Sequence, residues 1–428
     1  MKPVKALLLG AGNRGMFCYG NFALKNPGLL QITALAEPDE VKRERMREEH
    51  DIAPENLFES WEDAFANLPP VDAVIIAVQD KMHLEPMLRA MKENLHIICE
   101  KPIVGSPEDC HAIEKASLEY SKVCMIPHVL KYTPFFSRLK ELLDSGRIGR
   151  LIGINLIEHV GHIHLSHSFV RGNWRNLAES SPMILAKSCH DMDMLAWLAG
   201  SKCESLSSYG ALNYFKAENA PQGAPAYCLD GCPHIEKCPY HVSKIYLAEN
   251  TGWPVNAITT DLSYKGRLKA LEEGPYGRCV FRCDNDVVDH QTVNFRFANG
   301  VYASFTMSGF TMKIHRNLTL FGTDGEITGD MEDSKIVIDD FISKNTETID
   351  VAEVIGGGHS GGDAGFLRDF TACVLGSGGA GRTMLKDSFE SHYMAFAAEK
   401  SRLEGGRMIK VEDFRSTNTE ATHECNSV

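Results

Sequence analysis

Val4-Lys5-Ala6-Leu7-Leu8-Leu9-Gly10-Ala11-Gly12-Asn13-Arg14-Gly15 carries an apolar run directly into a glycine loop, and the helical stretch Met16–Lys25 follows. The order strand, loop, helix gives each glycine a task. Gly10 permits the tight turn, Gly12 lets the backbone approach a pyrophosphate, and Gly15 lets the helix pack on the strand while its N-terminal amides, with Asn13 and Arg14 in the loop, face the phosphates. Glu37, at the end of the next apolar run, is placed to accept hydrogen bonds from an adenosine ribose and to repel an added 2′-phosphate, which favours NAD over NADP. Arg14 is the opposing feature, a basic loop residue that such a phosphate would attract.

Outward from this loop, short apolar runs at Gln31–Ala36, Ala73–Val78, His96–Cys99 and Val123–Ile126 alternate with helical stretches at Glu40–His50, Trp61–Asn67, His83–Glu93 and Pro107–Ser121. That alternation predicts an α/β fold with a doubly wound parallel sheet over residues 1–127. Beyond residue 128 the period changes to two, at Leu151–Val160, Val287–Phe297, Val301–Met307, Asn317–Phe321 and Lys335–Asp339. An α+β domain over 128–414, with an open and mostly antiparallel sheet, is expected, braced by helices at Pro134–Ser145, Ser188–Ala199, Ala364–Leu375 and Lys386–Leu403. Residues 213–283 form a Cys-rich insertion without clear period, and 415–428 read as a disordered tail.

Composition narrows the partners. The chain of 428 residues is 43% hydrophobic and 24% charged, with a formal net charge of −13. Nucleic acid and anionic lipid are therefore poor partners, a small molecule a better one. The apolar run near the N-terminus is too short for a signal-peptide core or a membrane span, which points to a cytoplasmic protein. Most of the 13 cysteines stand singly in apolar surroundings, as reduced buried thiols do.

The fourth apolar run ends in Cys99-Glu100-Lys101-Pro102, and Glu-Lys-Pro after a Rossmann strand resembles the Gfo/Idh/MocA oxidoreductases. Val78-Gln79-Asp80 with His83, and His190 with Asp193, fall where that family has them. The resemblance implies a cofactor site including Gln79, His83, Glu100 and Lys101, and a homo-oligomer formed through the open sheet. It also implies Lys101 and His190 as catalytic residues. A lysine at the carboxyl end of a parallel strand can polarise a hydroxyl, and a histidine titrating near neutrality can take its proton. Asp193 shares a helical face with His190 and is expected to orient the imidazole or cap the helix. Many dehydrogenases of the family carry a carboxylate four residues before the histidine, where this chain has Ala186; Lys187 beside the gap joins the catalytic candidates.

On the substrate side, Glu158, His162 and His164 share a face if the strand continues. His164, His167, Arg171 and Trp174 suit a carbohydrate, whose hydroxyls need hydrogen bonds and whose ring faces stack on aromatics. His359, in Gly356-Gly357-Gly358-His359-Ser360-Gly361-Gly362-Asp363, is a further substrate candidate, with Asp363 a cap for the helix after it. Cys228, Cys232 and Cys238, with His234 and His241 between and beyond them and Cys279 or Cys283 as a fourth, offer thiolates to a structural zinc or an iron–sulfur cluster; packed free thiols or one disulfide are the alternatives. Together these readings predict NAD-dependent oxidation of a hydroxyl on a sugar, polyol or glycoside. The alternatives are an NAD-dependent glycoside-cleaving enzyme that oxidises transiently, and a dinucleotide-sensing regulator without turnover.

Overall fold

In the computed structural model, residues 2–351 and 359–412 are described, His359 by its backbone alone. Six strands, β1 (Val4–Leu9), β2 (Leu30–Ala36), β3 (Leu57–Phe58), β4 (Ala73–Ile76), β5 (His96–Cys99) and β6 (Cys124–Met125), form one parallel sheet in the order β3-β2-β1-β4-β5-β6. β4 is buried at every position, as a strand covered on both faces must be. The helices between strands start where short polar side chains relieve unpaired amides: Asp39 accepts from Lys42 N, Ser60 from Asp63 N, and Ser106 from Asp109 N with Pro107 beside it. The strand order reverses beside β1 and β4, so the carboxyl ends of β1, β4 and β5 open onto the crevice where such sheets bind ligands.

The second sheet has nine strands: β7 (Leu151–His159), β8 (Cys203–Ala211), β9 (His290–Phe297), β10 (Tyr302–Ser308), β11 (His315–Gly322), β12 (Gly325–Asp330), β13 (Lys335–Asp340), β14 (Thr346–Asp350) and β15 (Ile409–Lys410). Their order is β14-β13-β12-β11-β7-β10-β9-β8-β15. Only β7 and β10 run parallel; every other pairing is antiparallel. Strict alternation of buried and exposed residues along β9 and β10 puts one face in the core, beneath helices Cys189–Ala199 and Leu385–Leu403. The other face stays open and carries the exposed rings of Tyr209, Tyr302 and Phe321.

Two expectations fail. β3, β8, β12, β14 and β15 were not anticipated, because Ser- and Gly-rich or short edge stretches such as Leu57–Phe58, Cys203–Ala211 and Gly325–Asp330 lack a strong apolar alternation. The strand expected through Val160 ends at His159: Gly161 turns at φ +84°, and His162–His164 then Leu165–Arg171 are helical. Glu158 therefore faces the core from the sheet while His162 and His164 leave it. Gly356, Gly357, Gly358 and the expected tail lie outside the described residues. No helix among the described residues is long and apolar enough to cross a membrane.

Candidate active site

The glycine loop is built by close backbone approach. Gly10 sits at φ +91°, and a Cβ there would lie 2.7 Å from the Ala77 carbonyl oxygen; one on Gly15 would lie 2.1 Å from the Gly10 carbonyl oxygen. Gly12 differs, since a Cβ there would meet nothing within 4 Å. The sequence therefore spends two glycines on packing and leaves the third facing open space at the crevice, which fits a pyrophosphate. Buried Glu37 accepts from Ala11 N at 2.6 Å and from Asp39 N at 2.9 Å, one bond on each oxygen. Each carboxylate oxygen keeps acceptor capacity for a ribose hydroxyl.

Arg14 is engaged elsewhere. Its Nε donates to Glu100 at 2.6 Å, and its two terminal nitrogens donate to both oxygens of Asp363 at 3.1 and 2.9 Å. A guanidinium held by two carboxylates is not poised for a 2′-phosphate. Asp363 lies inside the first turn of helix Gly362–Val374, whose N-cap is Gly361, so its work is this ion pair rather than the cap expected of it. Glu100 also accepts from Tyr19 Oη at 2.6 Å; burial alone would push its carboxyl up, but Arg14, Tyr19 and Lys101 hold it below the usual range. His83, fully buried, has Nδ1 2.8 Å from the Pro102 carbonyl and Nε2 3.2 Å from that of Val78. It braces the Lys101–Pro102 turn against the loop after β4. Gln79 and Asn13 are exposed at the rim.

Lys101 leaves the carboxyl end of β5, and its Nζ donates to the Ala186 carbonyl oxygen at 3.0 Å. The position that lacks a carboxylate thus anchors the lysine through its backbone, and it joins Lys101 to the segment carrying Lys187 and His190. His190 is buried near the start of helix Cys189–Ala199, and its ring meets that of His128 edge to face at 5.6 Å between centroids. Neither ring nitrogen of buried His128 has a hydrogen-bond partner among the described residues. Burial, then Lys131 and Lys101, hold it well below the usual imidazole value. Sequence reasoning missed His128, although its place just after β6, at the carboxyl edge of the parallel sheet, was a usable signal. Asp193 Oδ1 is 2.8 Å from Lys131 Nζ, both side chains nearly fully buried. The predicted orienting carboxylate is committed to that ion pair.

A buried carboxylate of the second sheet engages Lys187. Glu158, fully buried, pairs with Lys187 Nζ at 2.9 Å and Arg316 at 2.7 Å, and accepts from Ser188 Oγ at 2.8 Å. Arg316 stands directly opposite Glu158 in the β7–β11 ladder and also grips Asp191 at 2.6 and 3.0 Å. Burial and the neighbouring Glu158, only partly offset by Arg316, push the Asp191 carboxyl above the usual range. Glu158, which burial would raise, is held low by Arg316 and Lys187. A lone arginine alternating inward with Leu318 and Leu320 was the sequence signal for this network.

The substrate-side expectations divide. His164 lies close enough to Lys187 and Lys101 that they, with burial as the larger cause, hold its imidazole well below the ordinary value. Trp253, 42% exposed, stands edge-on to His164 and His167 at 4.9 and 5.5 Å and was not anticipated from sequence. His167 bonds Tyr246 Oη at 2.9 Å and stacks on Tyr276, a packed role. Arg171, 0% exposed, donates to the carbonyls of Arg278 at 2.7 Å and Tyr240 at 2.8 Å, so it ties the insertion down and does not face a substrate. Trp174 Nε1 donates to Asp80 at 2.9 Å, pinning the loop after β4. The side chain of His359 lies outside the described atoms. Cys228, Cys232 and Cys238 line one small cavity, but no three His, Cys, Asp or Glu side chains among the described residues are set to hold an ion.

Comparison with known proteins agrees with this geometry. Residues 4–128 match the Gfo/Idh/MocA oxidoreductase family model, NAD-binding Rossmann fold, and residues 140–409 match the C-terminal alpha/beta domain model of the same family. YteT of Bacillus subtilis is 27% identical over 326 residues, 72% of this chain and 74% of that protein. Inositol 2-dehydrogenase of Corynebacterium glutamicum is 28% identical over 215 residues, 48% of this chain and just 57% of the relative. A levoglucosan dehydrogenase solved with NADH and levoglucosan shares the fold at a TM-score of 0.70 and 16% identity, covering 96% of this chain and 100% of that one.

Proposed function

Because the chain belongs to the Gfo/Idh/MocA oxidoreductase family with its NAD-binding Rossmann fold, we propose that it is an NAD-dependent carbohydrate oxidoreductase acting on a hydroxyl of a sugar, polyol or glycoside. The observation that carries this reading is Lys101 anchored on the Ala186 carbonyl, which ties a cation at the cofactor crevice to the segment bearing His190. The relatives named for inositol and levoglucosan support the substrate class. Glu37 and the open side of Gly12 would hold the dinucleotide, and Arg14, spent on Glu100 and Asp363, favours NAD over NADP. A nicotinamide held there would supply hydride exchange at the carbon bearing the hydroxyl. Lys101 Nζ polarises that hydroxyl oxygen, His190 takes or returns its proton, and Trp253 offers a face for the sugar ring.

Lys187 distinguishes this site. Its ammonium, fixed by Glu158, lies close enough to His164 to help burial hold that imidazole below its usual value. Mixing the protein with NAD and a panel of monosaccharides, polyols and their glycosides while following NADH absorbance tests the assignment. Turnover with a free sugar or polyol supports it. Cleavage of a chromogenic glycoside without net NADH would replace it with the redox-neutral reading, and binding of NAD with no conversion of any panel member would sink both. The exposed Tyr209, Tyr302 and Phe321 on the open sheet support the oligomer that the family resemblance implies. Light scattering of the purified chain checks that point.

A further inference from the structure

Away from the crevice, the insertion gathers four thiols. Tyr227 and Arg278 form an antiparallel bridge, with Cys228 N donating to the Gly277 carbonyl at 2.9 Å and Cys279 N to that of Ala226 at 2.8 Å, which brings Cys228 and Cys279 together from distant segments. The turn closed by Cys238 N on the His234 carbonyl at 2.9 Å adds Cys232 and Cys238. These four side chains line a single small cavity together with Arg171, and no Asp or Glu lines it.

Arg171 is the second, independent observation. It is 0% exposed, its bonded nitrogens meet two carbonyls and the Cys228 sulfur at 3.9 Å, it ion-pairs with no carboxylate among the described residues, and its Nη1 has no hydrogen-bond partner among them. A guanidinium stays charged wherever it is, and a buried charge without a counter-charge costs several kcal/mol. A metal-bound set of thiolates in the cavity would supply the missing counter-charge.

We propose that Cys228, Cys232, Cys238 and Cys279 bind a structural zinc ion. Four thiols each release a proton and together with one Zn²⁺ form a tetrathiolate of net charge −2, which Arg171 faces through Cys228. The donor set is that of a closed structural zinc site. Since no three ligands are yet converged, binding includes rotation of the Sγ atoms into the cavity about their Cα–Cβ bonds. The site answers a need of the insertion, whose longest helix has 10 residues and which adds no strand to either sheet. Through Arg171 it also fixes the far end of the helical segment that carries His164.

Metal analysis of the freshly purified full-length protein is the test, with about one zinc per chain expected. Cys232→Ser and Cys238→Ser should each retain less than about a fifth of that zinc. Cys283→Ser, whose sulfur bonds the Cys279 carbonyl outside the cavity lining, should keep it. If the serine variants fail to fold, titrating wild-type thiols with a mercurial should release the zinc to a chromogenic chelator as four thiols react. Less than about a tenth of an equivalent of zinc in the wild type, iron in its place, or a disulfide among these cysteines by mass spectrometry would overturn the proposal.

Discussion

At the scale of single residues, the site depends on which partners hold each charge. Lys101 Nζ is anchored by a carbonyl and makes no ion pair with a carboxylate among the described residues, which leaves the ammonium able to meet a reacting oxygen. Lys101→Met should lower kcat by about 10²–10⁴-fold while NADH binding changes little; fluorescence titration and steady-state rates separate the two, and a variant with near wild-type kcat would remove Lys101 from the mechanism. Trp253 touches His164 from the exposed side, so Trp253→Ala should raise KM about tenfold with kcat held within about threefold. His167 and His392 are held neutral by burial, each lowered to about 3. Their unfolded forms take protons near pH 6.5, so the unfolded state binds more protons as pH falls below that value, and stability falls with it. From pH 7.5 to 5 the loss is roughly 2 kcal/mol for each histidine. Urea midpoints at the two pH values should show the fall, and His392→Leu, which also removes the acceptor for Ile103 N, should show a shallower one.

At the scale of elements, the glycine loop separates packing from binding. Gly15→Ala would drive a methyl group to 2.1 Å from the Gly10 carbonyl oxygen and should cost about 2 kcal/mol or more of stability. Gly12→Ala meets nothing within 4 Å, so its denaturation midpoint should match the wild type to within about 0.5 kcal/mol while its NADH Kd rises at least tenfold. A Gly12→Ala protein that binds NADH normally would show that the open side of the loop is not the phosphate cradle. The elements that were legible in advance, such as Val4–Leu9, Glu40–His50 and His96–Cys99, carry strong apolar runs, good caps or both. Those that were not, such as Cys203–Ala211 and Ile409–Lys410, are strands because a neighbour offers a free edge.

At the scale of the whole molecule, Arg14 joins the glycine loop to the last strand-end carboxylate and to helix Gly362–Val374, binding sequence-distant segments across the crevice. Arg14→Ala strands two carboxylates that are each about 8% exposed, and should destabilise the fold by about 3 kcal/mol. Because Arg14 is committed to them, the same substitution should leave the weak binding of NADP unchanged, which calorimetry with both dinucleotides would show. By itself the sequence determined the parallel sheet and the glycine loop, which rest on local chain geometry, and it nominated Glu37, Lys101 and His190 through a motif or a family resemblance. Tertiary structure alone decided the partners: that Arg14 serves Glu100 and Asp363, that Glu158 pairs with Lys187 and Arg316, that Arg171 turns into the insertion, and that His128 lies against His190. Those contacts join residues far apart in the chain, and a spacing rule reads only neighbours along it.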